Sequence, residues 1–115
     1  MPIAPHVLLI EDDTSLAANL CDVLKEDGFK VTICNRGDEG LRRASNDECD
    51  VVLTELRLPG LGGLELVRQL HETQPRLPVV LMTAHGTTFG VVLPREINDI
   101  AKSANYSARI QGGGD

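Results

Sequence analysis

The chain contains no tryptophan, and Phe29, Phe89 and Tyr106 are its only aromatic residues. Without large rings the core has to be built from Val, Leu and Ile, the habit of parallel sheets covered on both faces. No apolar run approaches the roughly 18 residues of a membrane helix, so no membrane span is expected. The amino terminus has no basic stretch followed by an apolar one, which argues against a secretory signal. Cys21, Cys34 and Cys49 are odd in number and widely spaced, with no C-x-x-C pair. That pattern suits buried thiols in a reduced, cytoplasmic protein and argues against a disulfide scaffold. Positive charge is short as well: 11 basic residues stand against 17 acidic ones, for a formal net charge of -6. Such a surface repels phosphate backbones, so direct contact with nucleic acid is not expected.

What is present is a series of short aliphatic segments. HVLLI at His6–Ile10, KVTIC at Lys30–Cys34, DVVLT at 50–54 and PVVLM at 78–82 each read as a strand buried on both faces. Each gap between them holds room for one helix. In SLAANLCDVLKEDGF, Leu16, Leu20, Val23 and Leu24 share a helical face, Thr14 or Ser15 is placed to cap the start, and Gly28 to stop the end. GDEGLRRASND is a shorter and weaker helix, and GLELVRQLHETQP opens at Gly63, aligns Leu64, Val67 and Leu70, and ends at Pro75. Strand alternating with helix at this spacing implies right-handed crossovers and an α/β, doubly wound parallel sheet. A length of 115 residues is one domain, taken as 1–111 with 112–115 (GGGD) as a disordered tail.

Sites in such sheets lie beyond the carboxyl ends of the strands. Glu11, Asp12 and Asp13 follow the first strand, Glu55 the third, and Thr83, Ala84 and His85 the fourth. Carboxylates converging on one crevice repel one another unless a cation sits between them, and an oxygen-only ligand set points to a hard ion such as Mg²⁺. Taken alone, the EDD run reads equally well as a solvated loop or an acidic helix start. The acid after strand three and the hydroxyl after strand four favour the site.

VLLIEDDTSL (7–16), DVVLTELRLPGLGGLELVRQL (50–70) and PRLPVVLMTAHG (75–86) together resemble the receiver domains of two-component response regulators, particularly the nitrogen-regulator type. The resemblance covers residues 6 to about 86 and implies a flavodoxin-like receiver fold and a signalling module, not an independent enzyme. By that resemblance Glu11 and Asp12 match the acidic pair that binds Mg²⁺, Glu55 stands at the phosphoacceptor position, and the backbone carbonyl of Arg57 matches the third protein ligand of the metal. Thr83 matches the switch hydroxyl that grips the phosphoryl group, and Pro59, Gly60 and Gly63 match the turn after the acceptor. Asp13 matches a capping residue better than a ligand.

Two departures stand out. The family acceptor is an aspartate, and one extra methylene at Glu55 displaces the carboxylate by about a bond length, where misplacement of about 1 Å costs on the order of a hundredfold in rate. The longer arm also carries charge toward the phosphoryl position, a partial imitation of the phosphorylated state that lacks its three phosphate oxygens. The second departure is the tail. Only 32 residues follow Thr83, and no Lys-Pro pair occurs among them. In the preferred register the fourth helix is lost, FGVVL at 89–93 forms the fifth strand, and Pro94 opens a helix through 104 with Ile97, Ile100, Ala101 and Ala104 on one face. Leu93 then stands where the family's lysine belongs. In the other register, residues 88–104 form the fourth helix, which puts Pro94 mid-helix at a cost of about 3 kcal/mol.

The expected function is therefore a receiver module that regulates by protein–protein interaction, independently of ordinary phosphorylation. Its expected partners are a sensor histidine kinase, an attached output domain, or a second copy forming a homodimer or exchanging a strand through the face near residues 83–106. The alternatives are a conventional receiver phosphorylated by a histidine kinase and, from another class, a flavodoxin-like cofactor binder. The latter needs free backbone N–H groups in a small-residue loop after the first strand, where this chain has EDD.

Overall fold

The computed structural model of the chain describes residues 4–46, 49–82 and 89–92. The elements run β1 (His6–Ile10), α1 (Thr14–Glu26), β2 (Lys30–Cys34), α2 (Gly37–Asn46), β3 (Val51–Glu55), α3 (Gly63–Thr73), β4 (Val79–Met82) and β5 (Phe89–Val92). The sheet order is β2-β1-β3-β4-β5, with β1 to β4 all parallel. This is the doubly wound sheet expected from the strand–helix alternation, in the flavodoxin-like order that the receiver resemblance implies. Strand β3 begins and ends one residue later than the apolar pattern suggests, so Glu55 closes the strand and pairs with Met82.

Strand β5 is the departure. It occupies the place expected for FGVVL, yet it pairs antiparallel to β4, with Met82 opposite Phe89 and Val79 opposite Val92. Only residues 83–88 separate the two strands. A parallel return needs a crossover of about a dozen residues or more, so a connection this short can only bring the chain back antiparallel. The location of β5 agrees with the first register for the tail. The helix expected from Pro94 to 104, with Leu93, lies outside the described residues, as do the tail at 112–115 and, apart from the β5 backbone, the face near residues 83–106.

The two faces of the sheet are covered unequally. Leu8, Ile10, Cys34, Val52, Val79 and Leu81 pack against Ala44 of α2 and Leu66, Val67 and Leu70 of α3 in one continuous core. On the opposite face Leu9 and Met82 pack with Ala17 of α1, flanked by the partly buried Leu20, Val31 and Leu53. The inward face expected for α1 needs a correction here. Ala17 and Cys21 are its buried residues, while Val23 is 55% exposed. Small side chains are what let α1 lie close to β1 and β2, and they rotate the bulky Val23 out. Cys21 and Cys34 are buried and Cys49 packs half-buried against the core, in keeping with a structural role for the thiols.

Helix ends follow local chemistry. Gly28, at φ 94°, ends α1 in a left-handed turn: its N–H donates to the Lys25 carbonyl at 3.0 Å and that of Phe29 to the Leu24 carbonyl at 3.0 Å. The start of α1 is capped by Asp13, whose Oδ1 accepts from the Leu16 N–H at 3.0 Å, and not by Thr14 or Ser15. Thr14 is already inside the first turn, and a carboxylate one residue earlier also meets the positive end of the helix. No described helix is long and apolar enough to cross a membrane.

Truncating Leu66, which is fully buried between α3 and the sheet, is expected to be far more costly than truncating Val23. Leu66→Ala should lose about 2–5 kcal/mol in urea unfolding, and Val23→Ala no more than about 0.5 kcal/mol.

Candidate acidic site at the carboxyl ends of the strands

Strand register decides which acids meet. Ile10 pairs with Thr54, so the next residues on the two chains, Glu11 and Glu55, emerge side by side. Both are buried, Glu11 at 1% exposure and Glu55 at 4%. The Glu11 Oε2 accepts from the Asp13 N–H at 3.0 Å, while its Oε1 is buried without a hydrogen-bond partner. The Glu55 Oε1 accepts from the N–H of its own neighbour Leu56 at 3.0 Å, a donor it shares with the Met82 carbonyl, which holds the carboxylate against its own backbone. Thr54, buried beside it, donates its hydroxyl to the Glu55 carbonyl at 3.0 Å.

The electrostatics record this crowding. Burial pushes the Glu11 carboxyl from its ordinary 4.5 up to about 7, the Asp13 N–H works against that rise, and the nearby Glu55 and Asp12 carboxylates add to it. Asp12 itself is exposed at the mouth of the site. Among the described residues no group of three or more His, Cys, Asp or Glu side chains is spaced to hold a metal ion by itself. A hard cation is nonetheless chemically suited to the place. Magnesium takes one or two carboxylates and keeps several waters, and the Glu11 Oε1 is a buried oxygen with nothing to accept from.

Of the residues expected at the site, the structure brings together Glu11 and Glu55, with Asp12 beside them. Asp13 faces the helix start as its cap. Arg57 is exposed two residues beyond Glu55. Thr83 lies outside the described residues, as do Ala84 and His85, though the chain reaches that point next to Glu55: the Leu56 N–H donates to the Met82 carbonyl at 2.8 Å. The turn after the acceptor is held tightly. Gly63 donates its N–H to the Leu56 carbonyl at 2.8 Å, and a side chain there would collide with the Glu55 carbonyl. Gly60 has φ 82° and lies against Arg36 and Asp38, whose ion pair at 3.0 Å holds the Asp38 carboxyl below its ordinary value.

One contributor was missed by sequence reasoning. Asn35 follows β2, and its Nδ2 donates to the backbone carbonyl of Glu11 at 3.0 Å. The rule that sites lie beyond strand ends points to it, but an uncharged residue after an edge strand gives no signal of its own. A cleft of about 540 Å³ lined by Cys49, Asp50, Gln74 and Pro78, among others, opens where β3 and β4 begin, at the other end of the sheet from these acids.

With this geometry in place, comparison with known proteins is decisive. Residues 7–100 match the response regulator receiver domain family. The chain belongs to that family. It is 36% identical over 100 residues to the uncharacterized transcriptional regulatory protein YkoG of Bacillus subtilis, covering 87% of this chain and 42% of that protein. To the transcriptional regulatory protein GlrR of Escherichia coli it is 35% identical over 82 residues, covering 71% of this chain and 18% of GlrR. This receiver chain thus spans less than half the length of these curated relatives. Among solved structures, the receiver domain of sensor histidine kinase PA1611 from Pseudomonas aeruginosa superposes with a TM-score of 0.68 at 27% identity, over 71% of this chain and 69% of that one. That structure has a magnesium ion coordinated in its active-site cleft.

The raised Glu11 value fixes the sign of a pH effect in metal-free protein. The folded receiver holds a proton on Glu11 that the unfolded chain has released, so this contribution to stability is complete below about pH 4.5 and is lost as pH rises through about 7. Urea midpoints measured across that window should fall by an amount worth up to about 3 kcal/mol in wild type, and the fall should be markedly smaller in Glu11→Gln.

Proposed function

We propose that this chain is the receiver module of a two-component response regulator of the nitrogen-regulator type, acting through protein–protein contacts and without ordinary phosphorylation. The observation that carries the reading is the buried Glu11–Glu55 pair at the ends of adjacent parallel strands. Two acids are held there out of water, one of them at the acceptor position with an arm longer than aspartate's. Its Oε1 is engaged by the Leu56 N–H on its own backbone. An acceptor oxygen has to lie in line with the donor phosphorus and beside the metal, so a carboxylate that is longer and hydrogen-bonded to its own backbone is a poor nucleophile.

In this reading Glu11, Asp12, Glu55 and the Arg57 carbonyl hold a weakly bound Mg²⁺, and Thr83 is the switch hydroxyl. When bound, the ion offsets the repulsion between the acids and supplies a charge that a phosphoryl oxygen can meet. The residues themselves do the rest: burial keeps Glu11 poised between protonated and charged, and the Glu55 carboxylate places one negative unit near the phosphoryl position. The partners are a sensor histidine kinase or an attached output domain, with a homodimer as the further assembly. The module spans residues 1–111, works in the cytoplasm, and regulates rather than turns over a substrate.

Intact mass after incubation with Mg²⁺ and a small acyl-phosphate donor tests this directly. The parent should show no phosphoryl adduct, and Glu55→Asp should gain one of about 80 Da on Asp at that position, the mass expected when a phosphoryl group replaces a proton. An adduct on the parent mapped to Glu55 would restore the conventional receiver mechanism.

A further inference from the structure

The turn between β2 and α2 touches both acid-bearing loops, and it does so through different groups. On one side the Asn35 Nδ2 donates to the Glu11 carbonyl at 3.0 Å, directly after the Glu11 N–H has donated to the Cys34 carbonyl at 2.9 Å. The residue that carries its carboxylate into the site is therefore gripped at both its N–H and its carbonyl by β2 and the residue after it. On the other side the Gly37 N–H donates to the Pro59 carbonyl at 3.0 Å. A side chain on Gly37 would collide with the Leu61 carbonyl, and Gly60 lies against the Arg36–Asp38 ion pair. The β3–α3 loop that follows Glu55 thus rests on the same short turn.

We infer that residues 35–38, the turn after β2 and the first residues of α2, form a bracket that sets the spacing of the two acid loops, with Asn35 as a positioning residue for the cation site. This rests on the receiver-site reading above. Asn35 is exposed, so the fold has little to lose when its side chain is removed. What is lost is the donor to the Glu11 carbonyl, and with it the hold on the loop that presents Glu11 and Asp12. Groups that orient metal ligands from outside the ligand shell typically account for about 10–100-fold in metal affinity. An amide is needed because it donates to a carbonyl without bringing charge into an acidic site.

The experiment compares wild type, Asn35→Ala and Asn35→Gln. Free Mn²⁺ is read by electron paramagnetic resonance during titration, and amide hydrogen exchange is followed on the metal-free proteins. Asn35→Ala should bind Mn²⁺ about tenfold more weakly, exchange faster at the Glu11 and Asp13 amides, and keep wild-type protection in α3. Asn35→Gln, which retains the donor, should recover much of the affinity. Unchanged affinity and exchange in Asn35→Ala would overturn the bracket, as would loosening spread evenly over the sheet, which marks a merely structural residue. Failure of the wild type itself to bind Mn²⁺ would instead sink the cation-site reading. Exchange at Glu11 and Asp13 then decides the bracket by itself, faster exchange supporting it and unchanged exchange refuting it.

Discussion

The in-register parallel pairing of β1 with β3 is the constraint from which the rest of this molecule follows. Pairing Ile10 with Thr54 leaves Glu11 and Glu55 as next neighbours at the carboxyl end of the sheet. Because β1 and β3 are central strands, both acids are buried as they leave the sheet. Two like charges in a medium of low effective dielectric repel strongly, so one must stay protonated or a cation must join them. Burial is the main cause of the elevated Glu11 value, and the neighbouring Glu55 adds to it. A single-residue slip between these strands would separate the acids and turn their side chains to opposite faces.

Around that pair the loops are held by backbone contacts more than by side-chain ones. Gly63 lets α3 begin against the Glu55 carbonyl, Gly37 lets the β2–α2 turn meet Leu61, and Gly60 takes up the left-handed conformation that a bulkier residue resists. Asn35 and Asp13 add the side-chain ties, one to the Glu11 carbonyl and one to the first turn of α1. The acids themselves supply little cohesion. Their burial is a local cost that the Leu and Val core beneath them, from Leu8 and Val52 to Leu66 and Leu81, is able to carry.

The reversal of β5 carries its last described residue away from the acids. With β5 antiparallel to β4, Val92 lies at the level of Val79, at the end of the sheet opposite the acids. A receiver whose last strand is parallel sends its chain out at the acidic end instead.

The fold class and most of the acidic site are legible in the order of the residues. Short aliphatic runs of β-branched residues, spaced by one helix each, are enough to specify a parallel sheet, since only strands buried on both faces read that way. The rule that chemistry gathers at strand ends then points to Glu11, Asp12 and Glu55. What periodicity does not decide is the rotation of α1, because Ala17 and Cys21 outrank Val23 for close approach to the sheet although Val23 is the more hydrophobic. Nor does it supply the direction of β5, which depends on how many residues remain to make a crossover. The tie from Asn35 to Glu11 joins residues 24 positions apart and leaves no local pattern. Sequence alone thus determined the fold class and the identity of the acids, because burial pattern and strand ends are local properties. Tertiary structure alone decided which acids emerge side by side, that burial raises the Glu11 value, and what holds their loops, because register, dielectric and loop contacts exist only once the strands have paired.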